Sequence, residues 1–456
     1  MVNEEQLSKF CHVIEVEKGE VYAIYNSLWL RTIFVEAELL PLLTKLQLGS
    51  GSHQATAILP TVLQTEGYKL IEQLRREKFL APVDDENKLA ELREEIDRLP
   101  INLMYLIVSL NCNLACSYCY LAKALWPKDQ ADMSIMTARR GIDLFAELVD
   151  QQGVGKPQLI LYGGEPLVNL PTLRFALEYG TKRLPGIEFV LNTNGTLITN
   201  DIAQLLATHH VEVAVSIDGL KEAHNRYRID RRGKGSFDKA IAGYKILQEH
   251  GVEVGISCTI TPANVEQLTE TIQWFISELG IQSLGFNLMI GMFETLESMA
   301  DYSAKAARVL IDCFKIARKA GVYEDRMMRR VKAIAEGNVC FNDCGGCGQQ
   351  IVITPSNTIG VCQAFLNTGE NFLPLDDMPN PLEHELWSKW RQRSPFNMPA
   401  CLECEALSMC GGGCPYNSLL RTGNLMDPDL VHCIHAKEAL SFLMRDLWQQ
   451  VNADTT

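Results

Sequence analysis

The sequence has no apolar run near the ~20 residues that a membrane-crossing helix needs. Its first ten residues, MVNEEQLSKF, carry acidic residues where a secretory signal needs positive charge followed by an apolar stretch. Net positive charge is missing too: 56 acidic against 42 basic residues give −14. That excludes a broad phosphate-binding surface, because affinity for nucleic acid is mostly cation-driven. The nine histidines show no pairing at metal-ligand spacing, and there is no internal repeat or low-complexity tract. These absences make a cytoplasmic protein the expectation. The mix is ordinary, 47% hydrophobic and 21% charged, and 456 residues allow two to four domains.

Cysteine, by contrast, is abundant. Fifteen cysteines in a chain without a secretory signal do not read as a disulfide framework, since the cytosol keeps thiols reduced, and the count is odd. Three fall between residues 112 and 119 and nine between 340 and 433. Cys11, Cys258 and Cys313 stand apart and read as structural residues. Clustered thiols in a reducing compartment imply metal.

Residues 1–80 read as a small unit. IEVEKGEVYAIYN alternates apolar and polar residues about a Lys-Gly-Glu turn, a hairpin pattern. VEAELLPLLTKL and GYKLIEQLRREKFL carry apolar residues at helical spacing. Together they predict a small winged-helix-like domain. The charged stretch 81–100, with Pro82 and Pro100 at its ends, predicts a linker helix. From 101 to 320 strands alternate with helices, the strands falling at 102–110, 158–162, 187–191, 211–217, 253–260 and 282–288. Nearly continuous apolar strands predict a parallel sheet buried on both faces. Six β–α units are fewer than the eight of a closed barrel, so the expected class is α/β, a partial barrel with its chemistry at the carboxyl ends of the strands. In residues 321–456 Gly, Pro and Cys dominate until a last helix near 433–451.

The first of these strands runs into SLNCNLACSYCY, which sets Cys112, Cys116 and Cys119 at C-x3-C-x2-C spacing on one loop. Three thiolates can hold three irons of a [4Fe–4S] cube and leave the fourth iron open, whereas a structural zinc site wants four ligands. This spacing, with Tyr118 before the third cysteine, resembles the signature of the radical S-adenosylmethionine (SAM) enzymes. The resemblance continues along later strand ends: Gly163, Gly164, Glu165 and Pro166 (GGEP), Asn194 in NTNG and Ser216 in SIDG. In that family the GGEP turn binds the amino group of SAM, and residues matching Asn194 and Ser216 face its ribose and methionyl groups. Relatives also place an arginine after SIDG to pair with the SAM carboxylate. Arg228 is the expected residue, because a guanidinium fork suits a carboxylate, with Arg226, Arg231 and Arg232 as competing neighbours. The resemblance implies a partial (β/α)6 TIM barrel of the radical SAM type. It further implies SAM chelated to the open iron and reductive cleavage to methionine and a 5′-deoxyadenosyl radical, which abstracts hydrogen from an unactivated carbon. An electron donor such as flavodoxin or ferredoxin is implied with it.

The second group of cysteines resembles the SPASM extension of radical SAM peptide-modifying enzymes, which carries two auxiliary [4Fe–4S] clusters. By that pattern Cys344, Cys347, Cys362 and Cys414 would hold an inner cluster, and Cys401, Cys404, Cys410 and Cys433 an outer one, three cubes in all. Cys340 is an extra candidate for the inner set, and the Cys401–Cys404 pair alone would also fit zinc. In ITPSNTIGVC, Asn357 stands where relatives have Gly; Asn tolerates the left-handed backbone such a turn needs. Anaerobic sulfatase maturases carry an acidic residue directly after the cysteine matching Cys362. Here it is Gln363, which cannot act as a base.

Three readings of function follow. The first is a maturase that cross-links side chains of a ribosomally made precursor peptide, by a thioether or a carbon–carbon bond. The amino-terminal unit favours it, since it resembles the PqqD-like elements that bind leader peptides as an added strand. Val21, Tyr22 and Ala23 offer such a strand, and the unit should be removable without loss of iron, because every cluster ligand lies beyond residue 110. The second reading is a sulfatase-maturase-like enzyme, another SPASM enzyme acting on a protein side chain, or a peptide epimerase. The third, an iron–sulfur carrier or zinc-based interaction protein, leaves GGEP, NTNG and SIDG without a use.

Overall fold

A computed structural model describes residues 6–80, 82–121, 131–291, 295–378 and 380–453. The amino-terminal chain forms three antiparallel strands, β1 (Cys11–Glu17), β2 (Val21–Asn26) and β3 (Arg31–Glu36), in the order β1-β2-β3. The residues Val35 and Glu36, which read as the start of a helix in sequence, end β3 instead; the helix begins only at Leu40. RTIFVE is rich in β-branched residues, and pairing with β2 overrides the helical spacing that follows. Because β2 is hydrogen-bonded on both sides, with Val21–Asn26 matched to Glu36–Arg31, the residues Val21, Tyr22 and Ala23 have no free edge. Pairing with β2 occupies one side of β1.

Successive residues of β2 point to opposite faces. Ile24, with Ile33 and Val35, packs under helices Leu40–Gln47 and Gln64–Arg76. Ala23 and Tyr25, with Leu30, share a second core with Met409, Cys410, Leu440 and Met444 of the cysteine-rich region. The unit is therefore one wall of the cysteine-rich core, not a separable appendage. Its removal would bare apolar surface beside Cys410, so loss of iron on truncation is the expected result. The predicted linker helix is Pro82–Arg98. Its Leu92 and Ile96 are buried with Phe396, Met398 and Cys401.

The main sheet has ten strands. Six lie where the apolar runs predict them: β4 (Leu103–Ser109), β5 (Gln158–Gly163), β6 (Glu188–Thr193), β7 (Glu212–Ser216), β8 (Val254–Ile260) and β9 (Ser283–Leu288). All pair parallel in sequence order. Their connecting helices cover the outer face; Ile135–Gln152, for example, is capped by the Ser134 side chain and ended by a left-handed Gly153. Such parallel strands, sandwiched between helices and a filled lumen, need apolar residues on both faces. A short β10 (Tyr323–Glu324) adds beyond β9. On the other side β11 (Gln350–Ile353) pairs parallel to β4, followed by β12 (Thr358–Gly360) and β13 (Phe372–Pro374). The cysteine-rich region thus continues the sheet itself. Asn357, in the turn between β11 and β12, has a φ of 57°, the left-handed value. Among the described residues no helix is long and apolar enough to cross a membrane.

Candidate functional site

Strand order brings the separate motifs together at one end of the sheet. The loop carrying Cys112, Cys116 and Cys119 leaves the carboxyl end of β4, and GGEP leaves the adjacent end of β5. Gly163 has a φ of 142°, and a Cβ there would run into the Ser109 carbonyl; one on Gly164 would lie 2.5 Å from the Asn111 carbonyl oxygen. Only glycines let the two loops approach this closely. Glu165, 1% exposed, turns inward. Its Oε1 accepts from Thr193 Oγ1 (2.8 Å) and the Leu167 N–H (3.2 Å), and its Oε2 from the Asn194 N–H (2.8 Å). Burial outweighs these donors and raises its pKa to about 7. Asn194 donates to Asn113 Oδ1 (2.9 Å), which ties the NTNG turn to the cysteine loop; Asn113 in turn donates to Thr196 Oγ1 (2.7 Å). Ser216 ends β7 facing Ser257 across the ladder.

Arg228 is buried, and its guanidinium is engaged within the protein: Nε and Nη2 donate to Asp218 at 2.7 and 3.2 Å. Asp218 also accepts from Tyr118 OH (2.5 Å) and the Thr259 N–H (3.0 Å). The guanidinium lies 5.4 Å from the centre of the Tyr118 ring, and its charge favours the Cys116 thiolate. The pair therefore links the SIDG turn to the cysteine loop. Any carboxylate of a ligand would meet Arg228 with two of its five N–H groups already used. Arg231, by contrast, is exposed and donates to the Cys112 carbonyl (3.1 Å). His224 accepts the Asp218 N–H on Nδ1 (3.3 Å), so Nε2 carries the proton toward Ser236 Oγ (3.0 Å). Burial and the nearby guanidinium lower its pKa to about 4, which keeps it neutral. Sequence reasoning missed Asp218 and His224, although the Asp of SIDG stood inside a motif already singled out.

A tyrosine cluster spans the interval between the two cysteine regions. Tyr120 and Tyr162 share a hydrogen bond (2.8 Å), and Tyr105 meets Tyr162 edge to face at 5.5 Å. Tyr162 lies near both Cys119 and Cys362, and burial is the main cause that raises its pKa.

Among the described residues no three His, Cys, Asp or Glu side chains converge on a point that a single ion would occupy. The four outer thiols, Cys401, Cys404, Cys410 and Cys433, instead line a small cavity with Leu407 and Ala436. Burial, with the other thiols of the set close by, raises Cys401 to about 12 and pushes Cys433 up as well, and burial raises Cys410 to about 11. In the inner set Cys344 and Cys347 are hydrogen-bonded, and Cys414 feels Cys344 and Cys362. All-sulfur donor sets, each with two of its four thiols buried, fit an iron–sulfur group, which would draw off their protons on binding. Cys340 does not join the inner four in this way. Its N–H donates to Ser408 (2.8 Å), its thiol sits by Arg330, and Tyr25 feels it together with Cys404. Cys258 and Cys313 are fully buried in the main core.

A cleft of about 740 Å³ runs beside β1, walled by Cys11–Ile14, by Leu40, Leu43 and Thr44, and by Glu405.

Residues 106–275 match the model of the Radical SAM superfamily. The chain is similar to the radical SAM cyclopropyl synthase TigE of Paramaledivibacter caminithermalis, 25% identical over 385 residues that cover 78% of either chain. Among solved structures it resembles native anSMEcpe with bound AdoMet and Cp18Cys peptide, with a TM-score of 0.64 and 20% identity over 78% of this chain and 99% of that one. Streptococcus suis SuiB bound to S-adenosylmethionine gives a TM-score of 0.55 at 17% identity, over 94% of this chain and 99% of that one. Coverage of 94% cannot be reached without most of the amino-terminal unit, so that unit belongs to the shared fold. With the motifs of residues 106–275 gathered at the strand ends and the cysteine-rich region completing the same sheet, the chain contains a radical SAM domain and shares the fold of these enzymes.

Proposed function

We propose that the enzyme is a maturase that takes hydrogen from a ribosomally synthesised precursor peptide and installs a side-chain cross-link, a thioether or a carbon–carbon bond. The observation that carries the reading is the cleft along β1, walled on the far side by the cysteine-rich region. A leader segment seated there would enter as an added strand, with the rest of the peptide free to reach the strand ends. Peptide binding by anSMEcpe, a relative in fold, is in keeping with this. Gln363 argues against a base at that position: its Oε1 accepts from Gln350 Nε2 at 3.0 Å.

A SAM-chelated [4Fe–4S] cluster held by Cys112, Cys116 and Cys119 would supply the 5′-deoxyadenosyl radical, with electrons from a cytoplasmic flavodoxin or ferredoxin. Around it, Glu165 would accept from the SAM amino group, the glycines before it would let the ligand approach the main chain, and Asn194 and Ser216 would face its ribose and methionyl groups. Arg228, oriented by Asp218, would present its remaining N–H groups. Auxiliary clusters on the inner and outer sets would take the second electron that a cross-link releases. The direct test is mass spectrometry of short peptides encoded by reading frames next to the gene, after anaerobic incubation with SAM and reductant. Loss of two hydrogens, with fragmentation blocked between the joined residues, is expected. An unchanged mass in H2O with one deuterium gained in D2O would mean epimerisation, and an aldehyde reactive to hydrazines would mean maturase chemistry of the sulfatase kind.

Two further results are expected. Thr44→Trp, which fills the cleft from an exposed position, should weaken binding of the full precursor about tenfold or more while leaving iron content and modification of leaderless peptide unchanged. Equal binding by the variant would remove the leader from this cleft. Because Glu165 titrates near pH 7, its charge is present at pH 8 and mostly gone at pH 6. SAM affinity, measured by equilibrium dialysis, should fall several-fold across that interval, and Glu165→Gln should flatten the profile.

A further inference from the structure

We propose that Arg393 is a shared counter-charge for two iron–sulfur clusters, holding the reduction potentials of both the inner and the outer auxiliary cluster above the values they would have without it. This rests on the reading that the two cysteine sets hold clusters.

Arg393 is fully buried, 0% exposed. Its Nε donates to the Leu425 carbonyl (2.7 Å) and Nη1 to that of Gly413 (3.2 Å). Nη2 is shared among the Gly412 carbonyl (3.0 Å), Ser418 Oγ (2.8 Å) and the Asp427 carbonyl (3.2 Å). Every acceptor is neutral. Two other buried arginines contrast with it: Arg228 has Asp218, and Arg330 has Asp343 at 2.7 Å. A buried guanidinium with hydrogen bonds but no anion carries a desolvation cost of several kcal/mol, so the folded, loaded protein must supply negative charge nearby.

Its position says where. Gly412 and Gly413 lie between Cys410 of the outer set and Cys414 of the inner set, and both have left-handed backbones, with φ of 79° and 69°. That conformation turns their carbonyls onto the guanidinium. The charge of Arg393 reaches Cys344 and Cys347 on one side and Cys401 on the other. Four thiolates on a cube core of charge +2 leave a net charge of −2, which becomes −3 on one-electron reduction. A fixed cation between two such groups stabilises the reduced form of each more than the oxidised form, and so raises both potentials. Both clusters would then accept an electron from substrate more readily. Arg393 acts through the clusters and is a positioning residue, not a catalytic one.

The test is an EPR-monitored redox titration of the anaerobically reconstituted full chain, with no peptide. Arg393→Met should lower both auxiliary potentials enough to change the reduced-to-oxidised ratio at fixed potential by about tenfold, which is about 59 mV for a one-electron couple. The signal of the Cys112-loop cluster should stay in place, and Arg393→Lys should recover most of the shift. Ser418→Asp provides a route that keeps the arginine: a carboxylate on the same Nη2 should lower both potentials as well. Unmoved auxiliary potentials in Ser418→Asp, or an equal shift of all three clusters, would overturn the proposal. Fewer than three clusters in the unmodified protein would instead remove the cluster reading beneath it.

Discussion

Alanine at Cys112, Cys116 and Cys119 together is expected to abolish 5′-deoxyadenosine formation while leaving roughly two-thirds of about twelve irons bound. The expectation follows from where the thiols stand. These three leave the carboxyl end of β4 beside Glu165, whereas the other two sets lie beyond residue 340, in folds held by the Pro399–Leu402 and Leu430–Ala453 helices. Iron analysis and chromatography of the nucleoside products measure both quantities on one sample. Nucleoside formation at the usual rate by the triple variant would mean that another site cleaves SAM. Loss of all iron would mean that the loop is structural for the whole chain.

Asp218→Ala should have the next largest effect. Both oxygens of this 2%-exposed carboxylate are used, by Arg228, Tyr118 and the Thr259 N–H. Removing it leaves a buried guanidinium unpaired, a loss of about 3–5 kcal/mol in comparable cases. It also frees Tyr118, which anchors the loop between Cys116 and Cys119. A strongly lowered unfolding midpoint and weakened SAM binding are expected together. Removing both partners, as Asp218→Ala with Arg228→Met, should recover part of the stability but not the SAM binding, because the uncompensated charge is gone while the anchor is still missing. A single variant within about 0.5 kcal/mol of the parent, the range of ordinary surface changes, would show that the pair is not what holds the loop.

The six parallel strands were legible because each is a nearly unbroken apolar run bounded by turn residues, and burial on both faces demands that composition. The division of the later cysteines into two sets came from the resemblance to the SPASM extension; the structure brings Cys401, Cys404, Cys410 and Cys433 to one cavity. The role of Arg228 was only half legible: its partner lies ten residues earlier within SIDG, and spacing cannot tell whether a loop folds its arginine back onto that aspartate or out to a ligand. β3 was misread because Val35 and Glu36 also suit the helical period beginning after them, and only pairing with β2 decides. Nor could local pattern show that β2 is central, or that Ala23 and Tyr25 pack on residues near 440. His224 looked like any histidine in a basic loop, since its neutrality comes from burial.

The pairing of β11 with β4 has a consequence for how the chain is made. β11 is translated about 250 residues after the strand it completes. At about 5–20 residues per second, β4 waits on the order of 10–50 seconds with one row of N–H and C=O groups unmatched. An open, apolar strand edge is a template for another copy's strand, so crowded polysomes are the setting in which this protein is most exposed to aggregation. A gene shortened after residue 320 would make the waiting state permanent, giving a sheet with a bare edge rather than a minimal enzyme.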